Sequence, residues 1–395
     1  MSKIVFFNIP AHGHTNPTLR VVKELVSRGH QVWYYSYNIL RDKIESTGAT
    51  FISCDDDTEQ KLNAKDATRV GKDLVFSTKV LVDTTLALDD KVCKEMAELK
   101  PDCIVADSMA LWGKAVALKL GIPFVSSTTT FAFNQYSAKI MKQGLGDLFK
   151  MLFTAPLTSK QVRRLKEKGY PVKNVLDIIG SDANTHTIVY TSPEFQPCSE
   201  TFSEKYAFVG PSIRPATDEI EKTRDKLIYI SMGTVNNDMM PFYKTCISAL
   251  ENTDYQVILS VGNLVSIEAF GRLPENISVF SHIDQIAVLK QADVFVSHCG
   301  MNSVSESLYF EVPLVMLPKT SEQKGVAERV FQLGAGIKLK KSVPVLRAIN
   351  TIIEDNTYKQ NASKIAEGFK NSSGVKGAAD KIIKVCNEKL SMERQ

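Results

Sequence analysis

Short runs of β-branched and aromatic residues alternate along this chain with longer stretches whose apolar residues recur every three or four positions. The runs "KIVFFNI" (3–9), "QVWYYS" (31–36), "DCIVAD" (102–107), "IPFVSS" (122–127) and "HTIVYTS" (186–192) read as buried strands. Between the first two, "PTLRVVKELVSRG" (17–29) reads as a helix. Leu19, Val22, Leu25 and Val26 share a face, Pro17 suits the first position, and Gly29 suits the C-terminal cap. A stretch with prolines and mixed charge, "GPSIRPATDEIEKTRD" (210–225), interrupts the series. The alternation then restarts with "LIYISM" (227–232), a helix from about 239, "YQVILSV" (255–261), "ISVF" (277–280), "DVFVS" (293–297) and "PLVML" (313–317). Near-continuously apolar strands separated by helices predict parallel sheets covered on both faces. Two such series predict an α/β chain of two doubly wound domains with a cleft between them. Ligands of such sheets sit at the carboxyl ends of the strands.

Composition narrows this picture without redirecting it. The length of 395 residues fits two domains, and 44% hydrophobic with 23% charged residues is ordinary for a soluble globular protein. A net charge of +4 with no long basic run argues against nucleic acid as the main partner and leaves an anionic small ligand open. The seven cysteines include no CxxC pair and sit partly inside strand patterns, so they read as buried reduced thiols. The apolar run at the N-terminus is too short for a signal peptide, and no later run reaches the ~18 residues of a membrane span. A cytoplasmic protein is the expectation.

The chemistry concentrates where strands stop. The first strand runs into "NIPAHGHTNP", with His12 and His14 flanking a glycine. One role for this loop is mere turning, with Asn16 as the helix cap. The other is a general base: neutral imidazole takes a hydroxyl proton near pH 7, worth ~10²–10⁴-fold in rate, and a helix N-terminus disfavours the charged ring. Asp107 ends the fourth run and either caps the next helix or orients His14. In the second series, "ISMGTV" places Gly233 and Thr234 after a strand, where small residues let backbone N–H groups approach an anion. "VFVSHCGMNSVSE" is the stronger signal. Gly300 permits close backbone approach, and Asn302 and Ser303 lie at a helix start suited to phosphate. His298 could donate to a phosphate oxygen or bond the backbone. Ser303 and Glu306 also fit an S-x-x-E capping box. Glu322 and Gln323 open another helix; a first-turn carboxylate is ordinary, but the pair also suits a ring of sugar hydroxyls.

"HGHTNP" (12–17), "SMGT" (231–234), "HCGMNSVSE" (298–306) and "PLVMLPKTSEQ" (313–323) together resemble the nucleotide-sugar-dependent glycosyltransferases of family 1, closest in flavour to the bacterial macrolide and flavonoid enzymes. The resemblance covers nearly the whole chain. It implies a GT-B fold: an acceptor-binding domain over 1–212, a linker over 213–225, a UDP-sugar-binding domain over 226–375, and a helix over 376–395 crossing back to the first domain. By position it implies His14 as general base and Asp107 as its partner. Thr234, His298, Gly300, Asn302 and Ser303 match the diphosphate positions, Glu306 the ribose ligand, and Glu322 with Gln323 the sugar pair. Where the family commonly stacks the uracil on tryptophan in a W-x-P-Q segment, this chain has "HIDQ", with His282 as the platform, Asp284 for proline, and Gln285 retained.

These readings together predict an inverting transfer of a hexose, glucose first, from a UDP-sugar to a hydroxyl of a lipophilic small molecule. No metal-ligand cluster stands out, so the prediction includes no metal; the acidic run "CDDDTE" (54–59) reads as a solvated loop. Phe131 and Phe133, just past a strand end, are candidate acceptor contacts or ordinary core, as is "MLFTAPL" (151–157). A nicotinamide-dependent oxidoreductase lacks its GxGxxG here. A non-catalytic sugar-nucleotide-binding protein would have no use for the His14 and Asp107 pair.

Overall fold

In the computed structural model, which describes residues 1–55, 73–140, 158–173, 184–233, 238–340 and 344–392, the chain forms two compact units. One comprises Met1–Ser212 with Ser372–Gln395, and the other Ile213–Asn371.

The first unit is built on a seven-stranded sheet, every pairing parallel, in the order β3-β2-β1-β4-β5-β6-β7. The strands are β1 Lys3–Phe7, β2 Gln31–Ser36, β3 Thr50–Ser53, β4 Cys103–Asp107, β5 Phe124–Thr128, β6 His186–Val189 and β7 Tyr206–Phe208. Alternate residues of β1 serve opposite faces, as the two-residue period of a strand requires. Ile4 and Phe6 join Val21, Val22 and Leu25 of the helix His12–Ser27, together with Ala378, Ala379, Ile382 and Val385 of the last helix, Gly374–Met392. Val5 and Phe7 join Leu81, Leu88 and Val92 of the helix Leu74–Leu99 and Ala115 and Val116 of the helix Leu111–Leu120.

The second unit repeats the plan with six parallel strands in the order β10-β9-β8-β11-β12-β13. They are β8 Leu227–Ser231, β9 Gln256–Ser260, β10 Ile277–Phe280, β11 Val294–Ser297, β12 Leu314–Met316 and β13 Gly336–Lys338. The central strand β8 is buried throughout, whereas β10 at the edge alternates buried and exposed positions. Ile228 and Ile230 pack on Tyr243, Cys246 and Leu250 from the helix Met240–Leu250 and on Ile349 and Ile352 from the helix Val345–Glu354. On the opposite face, Tyr229 stacks on Phe295 with ring centroids 4.8 Å apart. The stretch 213–225 is fastened to this unit: Lys222 Nζ donates to Asp293 at 2.6 Å and the Thr223 N–H to Gln256 Oε1 at 2.8 Å.

The topology decides where chemistry can gather. In each sheet the strand order reverses beside the first strand, so connections leave toward opposite faces there and open a crevice at the carboxyl ends. In the first sheet that point lies between β1 and β4, and in the second between β8 and β11.

Two local expectations are corrected. The first helix starts at His12, not at residue 17, with Ala11 at the cap position and Pro17 as an interior residue. Asn16 therefore caps nothing, and His14 stands in the first helical turn. The short strands β3, β7 and β13 have no counterpart in the sequence reading. Among the described residues no helix is long and apolar enough to cross a membrane.

Candidate active site

Asp107 is the last residue of β4, and its neighbour β1 delivers the chain into the helix that carries His14. The two side chains meet across the reversal point, with His14 Nδ1 2.9 Å from Asp107 Oδ2. The carboxylate is fully buried while the imidazole is 22% exposed, so the ring is held by protein on the Asp107 side and keeps part of its surface accessible. Asp107 also accepts the Met109 N–H at 2.8 Å, which fixes its rotation. Facing a carboxylate, Nδ1 carries the proton and the ring's basic lone pair resides on Nε2. The helix that follows starts at Leu111 with Ala110 at its cap position and no side-chain cap, so Asp107 does not cap it; one carboxylate oxygen faces His14 and the other holds the turn at Met109.

Four further residues complete the support. Thr129 Oγ1 lies 3.2 Å from His14 Nδ1, a second partner for the same nitrogen. Asn8, buried at the end of β1, donates to the His14 carbonyl at 3.2 Å and to the Tyr34 hydroxyl at 2.9 Å, and that hydroxyl lies 2.7 Å from Thr18 Oγ1. Burial lifts the Tyr34 phenol to about 12, so it remains a neutral link. The first helical turn is pinned from beneath by satisfied polar groups, which in a low-dielectric interior favours one arrangement. His12 stands aside, its Nδ1 3.5 Å from Lys43 Nζ, with burial and that cation both lowering its pKa. Phe131 is buried at 1% exposure against Phe195, so it belongs to the core, while Phe133 keeps 38% of its surface exposed.

In the second unit the reversal point gathers Gly233, His298 and Gly300. A Cβ on Gly233 would stand 2.5 Å from His298 Cε1, and one on Gly300 2.8 Å from Nε2. Each distance is shorter than carbon tolerates, so the imidazole fits only because both neighbours lack side chains. Gly233 has φ +78° as well, a left-handed conformation that glycine adopts freely. Burial, reinforced by the charge of Lys319, lowers the His298 pKa to about 4. The ring is therefore neutral near pH 7 and offers a single N–H rather than a charge. Its Nδ1 is buried without a hydrogen-bond partner. Cys299 follows at φ 68°, and Gly300 takes the cap position of the helix Met301–Tyr309 with no side-chain cap. An uncapped N-terminus with glycine in front presents backbone N–H groups and the positive end of the helix dipole to an anion. Asn302 and Ser303 are half-buried in its first turn.

The capping box considered for Ser303 and Glu306 does not form. Glu306 instead accepts from Gln285 Nε2 at 2.5 Å. Gln285 Nε2 also reaches Ser303 Oγ at 3.4 Å, and its Oε1 takes the Tyr229 hydroxyl at 3.3 Å. Burial raises the Glu306 pKa, against the pull of Gln285 and Arg214. His282 is exposed and bonds Asn263 Oδ1 through Nε2 at 2.7 Å. Asp284 caps the helix Gln285–Leu289 by accepting the Ile286 N–H at 3.0 Å. Burial alone would raise its pKa, but Arg214 and Thr217 hold the carboxyl well below the usual range.

At the end of β12, Thr320 and Gln323 form a capping box for the helix Ser321–Gln332. Gln323 Oε1 accepts the N–H groups of Lys319 and Thr320 at 2.9 and 3.1 Å, which leaves its amide NH2 group as the donor it can offer. Glu322 is exposed in the same first turn. Thr234 and the segment 151–157 lie outside the described residues. Asn8, Thr129 and Lys319 went unmarked in the sequence; their signal was polarity at the carboxyl end of a strand.

Residues 244–383 match the family model described as the erythromycin biosynthesis protein CIII-like C-terminal domain. A protein of Bacillus subtilis named as a UDP-glucosyltransferase is 33% identical, the alignment covering 98% of each chain. An NDP-glycosyltransferase of Bacillus licheniformis is 32% identical over 96% of each. The solved glycotransferase of kitacinnamycin superposes with a TM-score of 0.85 at 25% identity, covering 97% of this chain and 98% of that one. With its two doubly wound sheets and these full-length similarities, the chain belongs to the bacterial family 1 glycosyltransferases of GT-B fold, and it is a glycosyltransferase enzyme.

Proposed function

We propose that the enzyme transfers a hexose, glucose first among them, from a UDP-sugar to a hydroxyl of a lipophilic small molecule, inverting the anomeric centre. The observation that carries this reading is the His14–Asp107 pair at 2.9 Å. His14 Nε2 takes the acceptor hydroxyl proton while that oxygen attacks the anomeric carbon from the face opposite the diphosphate. The bond from carbon to the diphosphate oxygen breaks with its electron pair, and UDP departs. Asp107 stabilises the imidazolium that forms. The charge growing on UDP is met by the helix start at Gly300–Ser303, the N–H of His298 and the ammonium of Lys319, so the reading includes no resident metal. His282 and Gln285 take the base, Glu306 the ribose, and Glu322 with the Gln323 amide the sugar.

Glucose is favoured by the name of the Bacillus subtilis relative, and a macrolide acceptor by the erythromycin family model; flavonoids and other phenols suit the same chemistry. The exposed ring of Phe133 is the acceptor contact in this reading. Seven free thiols fit a reducing cytoplasm. The test is incubation, with EDTA present, of UDP-sugars and a thymidine diphosphate sugar with phenolic and macrolide acceptors. The expected result is a hexose-sized mass increment, an inverted anomeric configuration by NMR, and loss of transfer in His14→Ala with UDP binding kept. Transfer at the parent rate by His14→Ala refutes the assignment.

A further inference from the structure

Asp284 stands where the family commonly has proline, and the structure shows what it holds. Its carboxylate is 1% exposed and filled with donors. Both terminal nitrogens of Arg214 reach it, one of them at 3.2 Å from Oδ2. Thr217 contributes its N–H at 2.5 Å and its hydroxyl at 3.0 Å, and Ile286 donates its N–H at 3.0 Å. The knot therefore joins two places far apart in sequence: the entry segment around 214–217 and the start of the helix Gln285–Leu289. Its immediate product is the placement of Gln285, the first residue of that helix, whose side chain ties Tyr229, Ser303 and Glu306 together. Arg214 acts on Glu306 directly as well, since its charge opposes the effect of burial on that carboxyl.

We propose that Arg214, through its bidentate grip on Asp284, is a positioning residue for the nucleoside end of the donor site. The segment entering the second unit then takes part in donor recognition without touching the donor. Proline at 284 would rigidify the turn by its ring; aspartate achieves the same end only if a cation and N–H groups satisfy it, because a buried unpaired carboxylate is unfavourable. Removing Arg214 leaves Asp284 a buried charge without its counter-cation, and the residue relaxes toward water. Gln285 and Glu306 then lose their fixed geometry, while the diphosphate site around His298 and Gly300 is untouched.

This inference rests on the reading that His282, Gln285 and Glu306 receive a uridine. The experiment separates the two. Calorimetry with UDP, with uridine and with inorganic pyrophosphate is run on the full chain and on Arg214→Ala, Arg214→Lys, Asp284→Asn, Thr217→Val and the Arg214→Ala/Asp284→Asn double variant. For Arg214→Ala the expected loss of UDP affinity is about ten-fold, the scale of one charge-assisted hydrogen bond left unmade. Pyrophosphate affinity should hold, donor KM should rise in parallel, and kcat at saturating donor should change less than about two-fold. Asp284→Asn keeps the helix cap and should match Arg214→Ala, and the double variant should be no worse than either single, as coupled groups require. Arg214→Lys should recover part of the loss, and Thr217→Val should show a smaller one. Parent-like UDP affinity in Arg214→Ala, or equal losses for UDP and pyrophosphate, overturns the positioning role. A parent enzyme that binds no uridine nucleotide overturns the donor reading instead, and a thermal melt confirms that each variant is folded.

Discussion

Replacing Asp107 with asparagine exchanges one oxygen for an NH2 group in a side chain that water does not reach. The carboxylate accepts twice: from His14 Nδ1 at 2.9 Å and from the Met109 N–H at 2.8 Å. An amide of the same shape cannot accept at both ends. If its oxygen stays with Met109, its NH2 group faces His14 and forces Nδ1 to accept. The ring proton then sits on Nε2, and the nitrogen to which the proposed mechanism assigns the acceptor proton is no longer a base. If the amide turns over, a backbone donor is left facing a donor, at a cost of about 1–3 kcal/mol. In either case the imidazolium formed during transfer loses its counter-charge. Two unit charges some 4 Å apart attract by about 4 kcal/mol at an effective dielectric near 20, which is about three powers of ten in rate. The Asp107→Asn enzyme should therefore lose ~10²–10⁴ in kcat, the lower limit applying if proton transfer is only partial at the transition state. UDP affinity should stay within two-fold of the parent, because the substitution lies in the other unit. The assay is initial-rate product formation by liquid chromatography and mass spectrometry at saturating donor and acceptor, beside calorimetric titration with UDP. A kcat within ten-fold of the parent would refute the claim that the aspartate fixes the tautomer and balances the charge.

Gly233→Ala should cost UDP affinity by at least about ten-fold, since its Cβ would overlap His298 and its backbone has positive φ; Gly300→Ala, which has the overlap without the strain, should lose less, and calorimetry ranks them. His298 should also leave a signature in acid. Its folded pKa is lowered to about 4 from 6.5, so the unfolded chain binds a proton that the folded ring refuses. Stability should fall as pH drops from 6.5 to about 4 and gain no further loss from this residue below that. His298→Gln should flatten that part of the melting-temperature curve, and an unchanged slope would contradict the burial argument.

Much of the fold was legible because central strands of covered parallel sheets are apolar on both faces, as β1, β4 and β8 are. What escaped was short or peripheral. The strands β3, β7 and β13 have three or four residues each, and each lies at the edge of its sheet. The start of the first helix was hidden because its opening turn, His12 to Asn16, has no apolar stripe to betray it, and Pro17 imitated a beginning. The candidate site was legible where a residue announced itself by type and the structure brings it to a strand end, as with His14, Asp107, His298 and Gly300. It was illegible where a role depends on a distant partner. Thr129 meets His14 across 115 positions, and Arg214 meets Asp284 across 70. Ordinary side chains acquire such roles only through register and packing.

The last helix, Gly374–Met392, supplies Ala378, Ala379, Ile382, Val385 and Cys386 to the interior beneath β1 and β4. The unit built on β1 is thus finished by a segment that follows the whole second unit, whereas Ile213–Asn371 is one uninterrupted piece. On the ribosome, a newly made chain of this design can complete its middle portion first. The opening portion must wait, with apolar surface uncovered, until the helix Gly374–Met392 has been made.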